Sequence, residues 1–238
     1  MGYCDMHCHI LPGLDDGAGD MNMAIEMIDI AVKNNITDII LTPHYKQGRC
    51  EHSKERILRH IDDLQNQVKS KYDNVRFYSG TELMYGEDCI ELLENDTILS
   101  LNNSKNVLVE FRPMDSPTYI KDSLYKISCT GYTPVLAHVE RYAEMVANYD
   151  VVEEIINRGG YIQVNASSVI GRLGLKVKKF TKMLMKYDML HFIGSDAHNT
   201  KDRSPDLESC ATYIEKKFGA EYRDELLINN PKKYLNIQ

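Results

Sequence analysis

Short apolar runs and amphipathic stretches alternate along this chain almost from end to end. Residues 3 to 9 form a first apolar-rich segment, stopped by Pro12-Gly13, and are short enough to predict a strand. Met23 to Lys33 then places Ala24, Met27, Ile28 and Ala31 at helical spacing, and Asn34-Asn35 ends that helix. Thr37 to Thr42 reads as a second, buried strand. Ser53 is placed to cap a long helix running to about Ser70, with Ile57, Ile61, Leu64 and Val68 as its inner stripe. The same alternation continues with strands at Val75–Ser79, Asn106–Phe111, Tyr132–Ala137, Tyr161–Val164 and His191–Ile193. Helices are predicted between them at about Glu87–Glu94, Ile120–Cys129, Val151–Arg158 and Lys176–Tyr187. Seven short apolar strands alternating with helices predict an α/β protein.

Composition narrows the class. A chain of 238 residues suits one large domain over residues 1–238, and neither linker, repeat nor low-complexity tract divides it. Its 28 basic and 35 acidic residues leave a net charge of −7, which argues against a nucleic-acid coat. No apolar run approaches the roughly 20 residues that span a bilayer. The first strand begins at once, so no signal peptide and a cytoplasmic location are expected. Cys4, Cys8, Cys50, Cys89, Cys129 and Cys210 are scattered without a C-x-x-C pair, as expected of reduced thiols rather than a disulfide framework.

The candidate chemistry lies at strand ends. Side chains alternate along a strand, so His7 and His9 point the same way, roughly 6.6 Å apart at Cα, a spacing suited to two imidazoles on one metal ion. By the same alternation Cys4 and Cys8 are expected on the opposite face and are excluded as ligands. The Asp15-Asp16-Gly17 turn adds a carboxylate at that mouth. Further along, His44, Glu82, Glu110, His138, and Asp196 with His198 each fall at or just past a predicted strand's C-terminal end. In a barrel those ends share one face, where βα loops build active sites, so the set converges on a single mouth. An acid such as Glu110, flanked by Val109 and Phe111, costs several kcal/mol to desolvate unless it is paired or metal-bound.

The motifs that carry these residues are Asp5-Met-His-Cys-His-Ile-Leu-Pro-Gly-Leu-Asp-Asp-Gly17, Thr42-Pro-His44, His138-Val-Glu-Arg141 and Ser195-Asp-Ala-His-Asn199. Over essentially its full length the chain resembles the polymerase and histidinol phosphatase (PHP) superfamily. Within it, the chain is most similar to the manganese-dependent tyrosine phosphatases of Gram-positive capsule and exopolysaccharide loci. Gly171 to Lys179 also resembles that subgroup. Two departures stand out: Val139 where proline is usual, and Arg112 rather than proline after Glu110-Phe111, which could alter the mouth of the site.

The resemblance implies a distorted (β/α)7 TIM-like barrel (the PHP fold) with a three-metal site. His7, His9 and Asp196 would hold the first metal, and Glu82 would bridge to the second. Glu110 and His138 would complete the second, while Asp16, His44 and His198 would hold the third, with Asp15 the alternative to Asp16. Nitrogen and oxygen donors without thiolate suit Mn, Fe or Zn, and the resemblance implies Mn²⁺. It further implies a phosphotyrosine-protein phosphatase that acts on the tyrosine-rich tail of an autophosphorylating bacterial kinase and regulates capsular or exopolysaccharide synthesis.

Cys50 and Arg56 have the Cys-x5-Arg spacing, but the residues between them include no glycine for a phosphate-binding loop and run into the helix predicted from Ser53, so the nucleophile is expected to be water. A water bridging two cations is acidified enough to give hydroxide at neutral pH, which would attack phosphorus in line. Arg141, three residues after His138, is expected to meet the phosphoryl charge with its guanidinium fork, and Arg203 resembles a second phosphate-contacting arginine of the subgroup. The basic cluster Arg172, Lys176, Lys178 and Lys179 is either a solvated helix face or a guide for an anionic phosphopeptide. Histidinol-phosphate phosphatase, a polymerase-associated phosphodiesterase or exonuclease, and a metal-stabilised binding module are the competing readings.

Overall fold

Strands form where short apolar runs dominate, and two of the runs are broken where proline or glycine interrupts the ladder. The computed structural model describes residues 2–237. Its strands are β1 (Tyr3–Cys8), β2 (Ile36–Leu41), β3 (His44–Tyr45), β4 (Arg76–Ser79), β5 (Glu82–Met84), β6 (Asn106–Glu110), β7 (Thr133–Leu136), β8 (Tyr161–Asn165) and β9 (Phe192–Gly194). They pair in parallel in the orders β1-β2-β4 and β3-β5-β6-β7-β8-β9. The second and third runs are thus each split in two. Pro43 has no N–H to give to the ladder between β2 and β3, and Gly80-Thr81 separates β4 from β5. Single bonds carry the pairing past these breaks: Thr42 N–H donates to Cys8 O at 3.0 Å, and Glu82 N–H to Pro43 O at 3.1 Å.

The sheet curls until its first and last strands meet. Asp196 N–H donates to His7 O at 2.8 Å and His9 N–H to Ala197 O at 2.9 Å, beside a parallel bridge between Cys8 and Ala197. Inside the curl, Met6 of β1, Leu108 of β6, Val135 and Ala137 in and just after β7, and Phe192 of β9 form an apolar cluster. The strand alternation expected over residues 3 to 9 does not hold throughout. A register shift between Asp5 and Cys8 changes the phase, so Cys4 packs in the inner cluster and Cys8 in the outer core. Burial pushes both thiols well above their ordinary pKa, as suits structural rather than reactive cysteines.

Helices cover the outer face. α1 (Met21–Lys33), α2 (Lys54–Val68), α3 (Cys89–Glu94), α4 (Pro117–Cys129), α5 (Ala143–Ala147), α6 (Asp150–Asn157), α7 (Ala166–Ile170) and α8 (Leu175–Lys186) fill the connections between strands, and α9 (Glu208–Phe218) follows β9. Asp20, Ser53 and Ser116 cap α1, α2 and α4 by accepting from backbone N–H groups of the first turn. The stripes read from the sequence are the buried ones: Ala24, Met27, Ile28 and Ala31 on α1, and Ile57, Ile61, Leu64 and Val68 on α2. Truncating one of these buried Ile or Leu side chains to Ala costs about 2–5 kcal/mol. That packing holds the strand ends in place, and the polar residues gather there.

Candidate metal centre and active site

The C-terminal ends of the strands bring every predicted ligand residue into one cluster. His7 and His9 come from the end of β1, His44 from β3, Glu82 from β5 and Glu110 from the end of β6. His138 follows β7, and Asp196 and His198 follow β9. At the centre sits Glu82, fully buried. Its Oε2 lies 3.1 Å from His7 Nε2, 3.2 Å from His9 Nε2 and 3.1 Å from His44 Nδ1, while Oε1 lies 2.9 Å from His138 Nε2. Glu110 Oε1 is 3.1 Å from His44 Nδ1, and Asp196 Oδ1 is 3.6 Å from both His7 Nε2 and His9 Nε2.

The aspartate pair of the first loop divides its work. Asp15 Oδ2 lies 2.8 Å from His9 Nδ1 and accepts from His44 N–H at 3.0 Å, so this carboxylate is spent on orienting the two histidines. Asp16 instead faces the opening, 3.4 Å from His44 Nε2 and 3.5 Å from His198 Nε2. The turn that sets this phase needs Gly17, because a Cβ there would lie 2.0 Å from His9 O.

Electrostatics follow from this crowding. Burial would lower the His9 and His44 pKa values, but the carboxylates of Asp15 and Glu82 beside His9 lift it to about 9, and those of Asp16 and Glu110 lift His44 to about 12. His198 goes the other way, to about 3, through burial and the charge of His9 beside it. Burial would raise the Glu82 carboxyl, yet His7 and His138 hold it well below the ordinary carboxylate range. Glu82 Oε2 is nevertheless a buried acceptor with no hydrogen bond of acceptable geometry, and His138 Nδ1 is likewise unpartnered. A buried orphan acceptor ringed by imidazole nitrogens is what a cation would satisfy.

The donor set fits such a cation. Three groups each bring their ligand atoms within 4.8 Å of one another: His7, His9 and Glu82; His44, Glu82 and Glu110; and His9, His44 and His198. All donors are nitrogen or carboxylate oxygen, suited to Mn, Fe or Zn.

Both predicted arginines reach the same carboxylate. Arg141 Nη2 pairs with Asp196 Oδ2, and Arg203 Nη2 with Asp196 Oδ1 at 2.9 Å. Each guanidinium also lines a cavity of about 530 Å³ that opens over the cluster, with Leu14, Met84, Lys46 and Arg49 around its wall. Arg112 lies in an exposed turn closed on Asp115, whose Oδ2 accepts from its N–H at 2.9 Å. The basic cluster is divided: Arg172 pairs with Asp206 at 2.8 Å beside a second cavity, and Lys178 donates to Ile170 O at 3.0 Å.

Several participants have no signal in the chemistry of their residue type. Gln163 and Asn165 on β8 hydrogen-bond among the ligands. Asp5 accepts from Ser195 N–H at 2.8 Å and Ser195 Oγ at 2.5 Å, tying β1 to the loop that carries Asp196. Glu140 accepts from Asn165 N–H at 2.9 Å and Ser168 Oγ at 2.7 Å. The one available hint was Gln163 and Asn165 two apart on a strand, hence on one face.

The sequence matches the family described as capsular polysaccharide synthesis, CpsB/CapC, over residues 3–236. It is 35% identical over 234 residues to the tyrosine-protein phosphatase YwqE of Bacillus subtilis (strain 168), a match covering 95% of this chain and 91% of that one. It is 33% identical over 232 residues to the putative tyrosine-protein phosphatase CapC of Staphylococcus aureus, covering 97% and 90%. Among solved structures, one of YwqE from Bacillus subtilis and CpsB from Streptococcus pneumoniae, described as unique metal-dependent tyrosine phosphatases, superposes with a TM-score of 0.91 at 33% identity. That match covers 99% of this chain and 95% of the other. A histidinol phosphate phosphatase from Lactococcus lactis, complexed with zinc, L-histidinol and phosphate, shares the fold at a TM-score of 0.60 and 14% identity.

Proposed function

Because the chain belongs to the CpsB/CapC capsular polysaccharide synthesis family, we propose that it is a metal-dependent tyrosine-protein phosphatase whose single catalytic domain spans residues 1–238. The observation that carries this reading is the orphaned Glu82 Oε2, ringed by His7, His9 and His44 and overlooked by two arginines. In this reading His7, His9 and Asp196 would hold a first cation, Glu110 and His138 a second, with Glu82 shared between the two, and Asp16, His44 and His198 would hold a third. Manganese is the proposed metal, with Fe or Zn compatible with the same donors. The nine strands then count as seven βα units, a distorted (β/α)7 barrel, because β2 with β3 and β4 with β5 each continue one strand across a break.

Bound cations would supply Lewis acidity toward the phosphoryl oxygens and make a nucleophile available from water at neutral pH. The chain's own residues do the rest. Arg141 and Arg203 can turn from Asp196 to the phosphoryl group, since their side chains remain about a third exposed, at 35% and 36%. Leu14 and Met84 give the tyrosine ring apolar wall in the cavity. Asp15 keeps His9 and His44 aimed inward. Phenolate leaves easily, so the residues need not provide a strong general acid.

The proposed substrate is the tyrosine-phosphorylated tail of a bacterial tyrosine kinase, and the proposed setting is cytoplasmic control of capsular or exopolysaccharide synthesis. The family's description supports the setting, and six unpaired cysteines are compatible with a reducing compartment. Among the described residues no helix is long and apolar enough to cross a membrane. The test is turnover on a phosphotyrosyl peptide against histidinol phosphate, after exhaustive chelation and again with Mn²⁺. Expected are loss on chelation, recovery with Mn²⁺ and preference for the peptide. Full activity in protein shown to be metal-free by elemental analysis would overturn the reading, and preference for histidinol phosphate would reassign the substrate.

A further inference from the structure

Two residues of the candidate centre have left-handed backbones that side chains with a Cβ rarely adopt. His138 has φ 34° and ψ 57°, and Asp196 has φ 53°. Such conformations persist only where the surroundings over-determine them. In both cases an amide side chain from β8 bonds the residue, at Asp196 beside the His7 carbonyl, which accepts from its N–H at 2.8 Å, and the Arg141 guanidinium. Gln163 Oε1 accepts from His138 N–H at 2.7 Å, and Asn165 Nδ2 donates to Asp196 Oδ2 at 2.8 Å. Gln163 Nε2 donates to Asn165 Oδ1 at 3.0 Å and joins the two.

The direction of this chain is fixed at both ends. A backbone N–H can only donate, and an ionised carboxylate can only accept. Gln163 must therefore turn its oxygen to His138 and its nitrogen to Asn165, which in turn must present its nitrogen to Asp196. Gln163 and Asn165 are buried, at 0% and 2% exposure, so the chain is shielded from competing solvent. One more group falls into line. His7 Nδ1 lies 3.3 Å from the same Gln163 oxygen, so the proton of neutral His7 belongs on Nδ1. That leaves the lone pair of Nε2 facing Glu82.

We infer that Gln163 and Asn165 are positioning residues: a paired-amide brace on β8 that holds the left-handed turn at His138, orients the Asp196 carboxylate and sets the His7 tautomer. It would thereby set the residues that hold the first cation, His7 and Asp196, against His138, which would hold the second. This inference rests on the metal reading proposed above and assigns residues that the reading itself does not use. Gly194 serves the same fit, because a Cβ there would lie 2.6 Å from His7 Cβ and 3.3 Å from Gln163 Nε2.

The experiment uses the full chain with Mn²⁺ as probe. Gln163→Met keeps the volume and removes both polar ends. Gln163→Glu keeps the acceptor for His138 but sets a carboxylate oxygen against Asn165 Oδ1. Both variants should melt cooperatively, yet bind Mn²⁺ about 10–100-fold more weakly in equilibrium dialysis. Both should also lose the electron paramagnetic resonance lines of a spin-coupled manganese pair. Asn165→Ala, which leaves the Gln163–His138 bond in place, should weaken only the first position, and it carries the test should either Gln163 variant fail to fold. Unchanged affinity and coupling in the folded variants would reduce Gln163 to space filling and overturn the inference. If the wild type itself binds no Mn²⁺, the metal reading fails separately. The brace is then decided by nitrogen NMR of His7, expected to carry its proton on Nδ1 in the wild type and to lose that preference in Gln163→Met. An identical tautomer in both would overturn it.

Discussion

Arg141 reaches Asp196 from the turn that follows His138, while Arg203 approaches the same carboxylate from further along the loop that carries Asp196 itself. With Asn165 also on Oδ2, Asp196 does not depend on Arg141 alone for its orientation. Arg141→Ala should therefore keep fold and metal content but slow turnover by about 10²–10³-fold, the usual cost of one preorganised donor to developing charge. Arg141→Lys should recover only part, because an ammonium lacks the planar fork. Kinetics alongside metal analysis decides it: full turnover removes Arg141 from the mechanism, and lost metal makes it a structural residue. At this scale the sequence was most readable where residue type carries the chemistry. Histidines and acids at strand ends could be placed at one mouth, and the structure brings them there. Whether Asp15 or Asp16 faces inward depended on the turn at Gly17. Gln163 and Asn165 stayed hidden because a buried amide on a strand looks the same in sequence whether it serves a site or a core.

Between β8 and β9 the pairing has a titratable fastener. His191 N–H donates to Ile162 O at 3.1 Å, its Nδ1 accepts from Ile162 N–H at 3.3 Å, and its carbonyl accepts from Asn230 at 2.9 Å. Burial pushes the His191 pKa down to about 4. An unfolded histidine titrates near 6.5, so as pH falls the unfolded chain takes up the proton first and stability drains away between about pH 6.5 and 4. His191 should account for about 2 kcal/mol of lost stability by pH 5. His191→Gln should flatten that part of the profile in urea unfolding at pH 7 and pH 5, and an unchanged difference between the two pH values would refute it. Elements as such were largely legible, since helix stripes and caps rest on local spacing. The splitting of two strands was not, because a proline after an apolar run marks a stop but does not reveal that pairing resumes one residue later. The phase change in β1 was equally invisible, being imposed by its neighbours.

Across the whole molecule, an excess of acid coexists with a mouth where Lys46, Arg49, Arg141 and Arg203 collect. Neither Lys46 nor Arg49 enters an ion pair among the described residues. Their field should draw in an anionic phosphopeptide, and salt should screen it with a Debye length of about 8 Å at physiological ionic strength. The expected result is a KM for an acidic phosphopeptide that rises with sodium chloride more steeply than that for para-nitrophenyl phosphate. Parallel slopes for the two substrates would remove these cations from peptide recognition. The meeting of β1 with β9 has a further consequence, in time rather than in space. His7 and Asp196 pair across nearly the whole chain, so at synthesis speeds of about 5–20 residues per second roughly ten to forty seconds separate their appearance. Until β9 docks, Glu82, Glu110, His44 and His138 are already in the chain, but Asp196 and His198 are not, so the first and third proposed cation positions stay incomplete. On the metal reading, the full donor set that would choose among manganese, iron and zinc is thus complete only once the last strand closes.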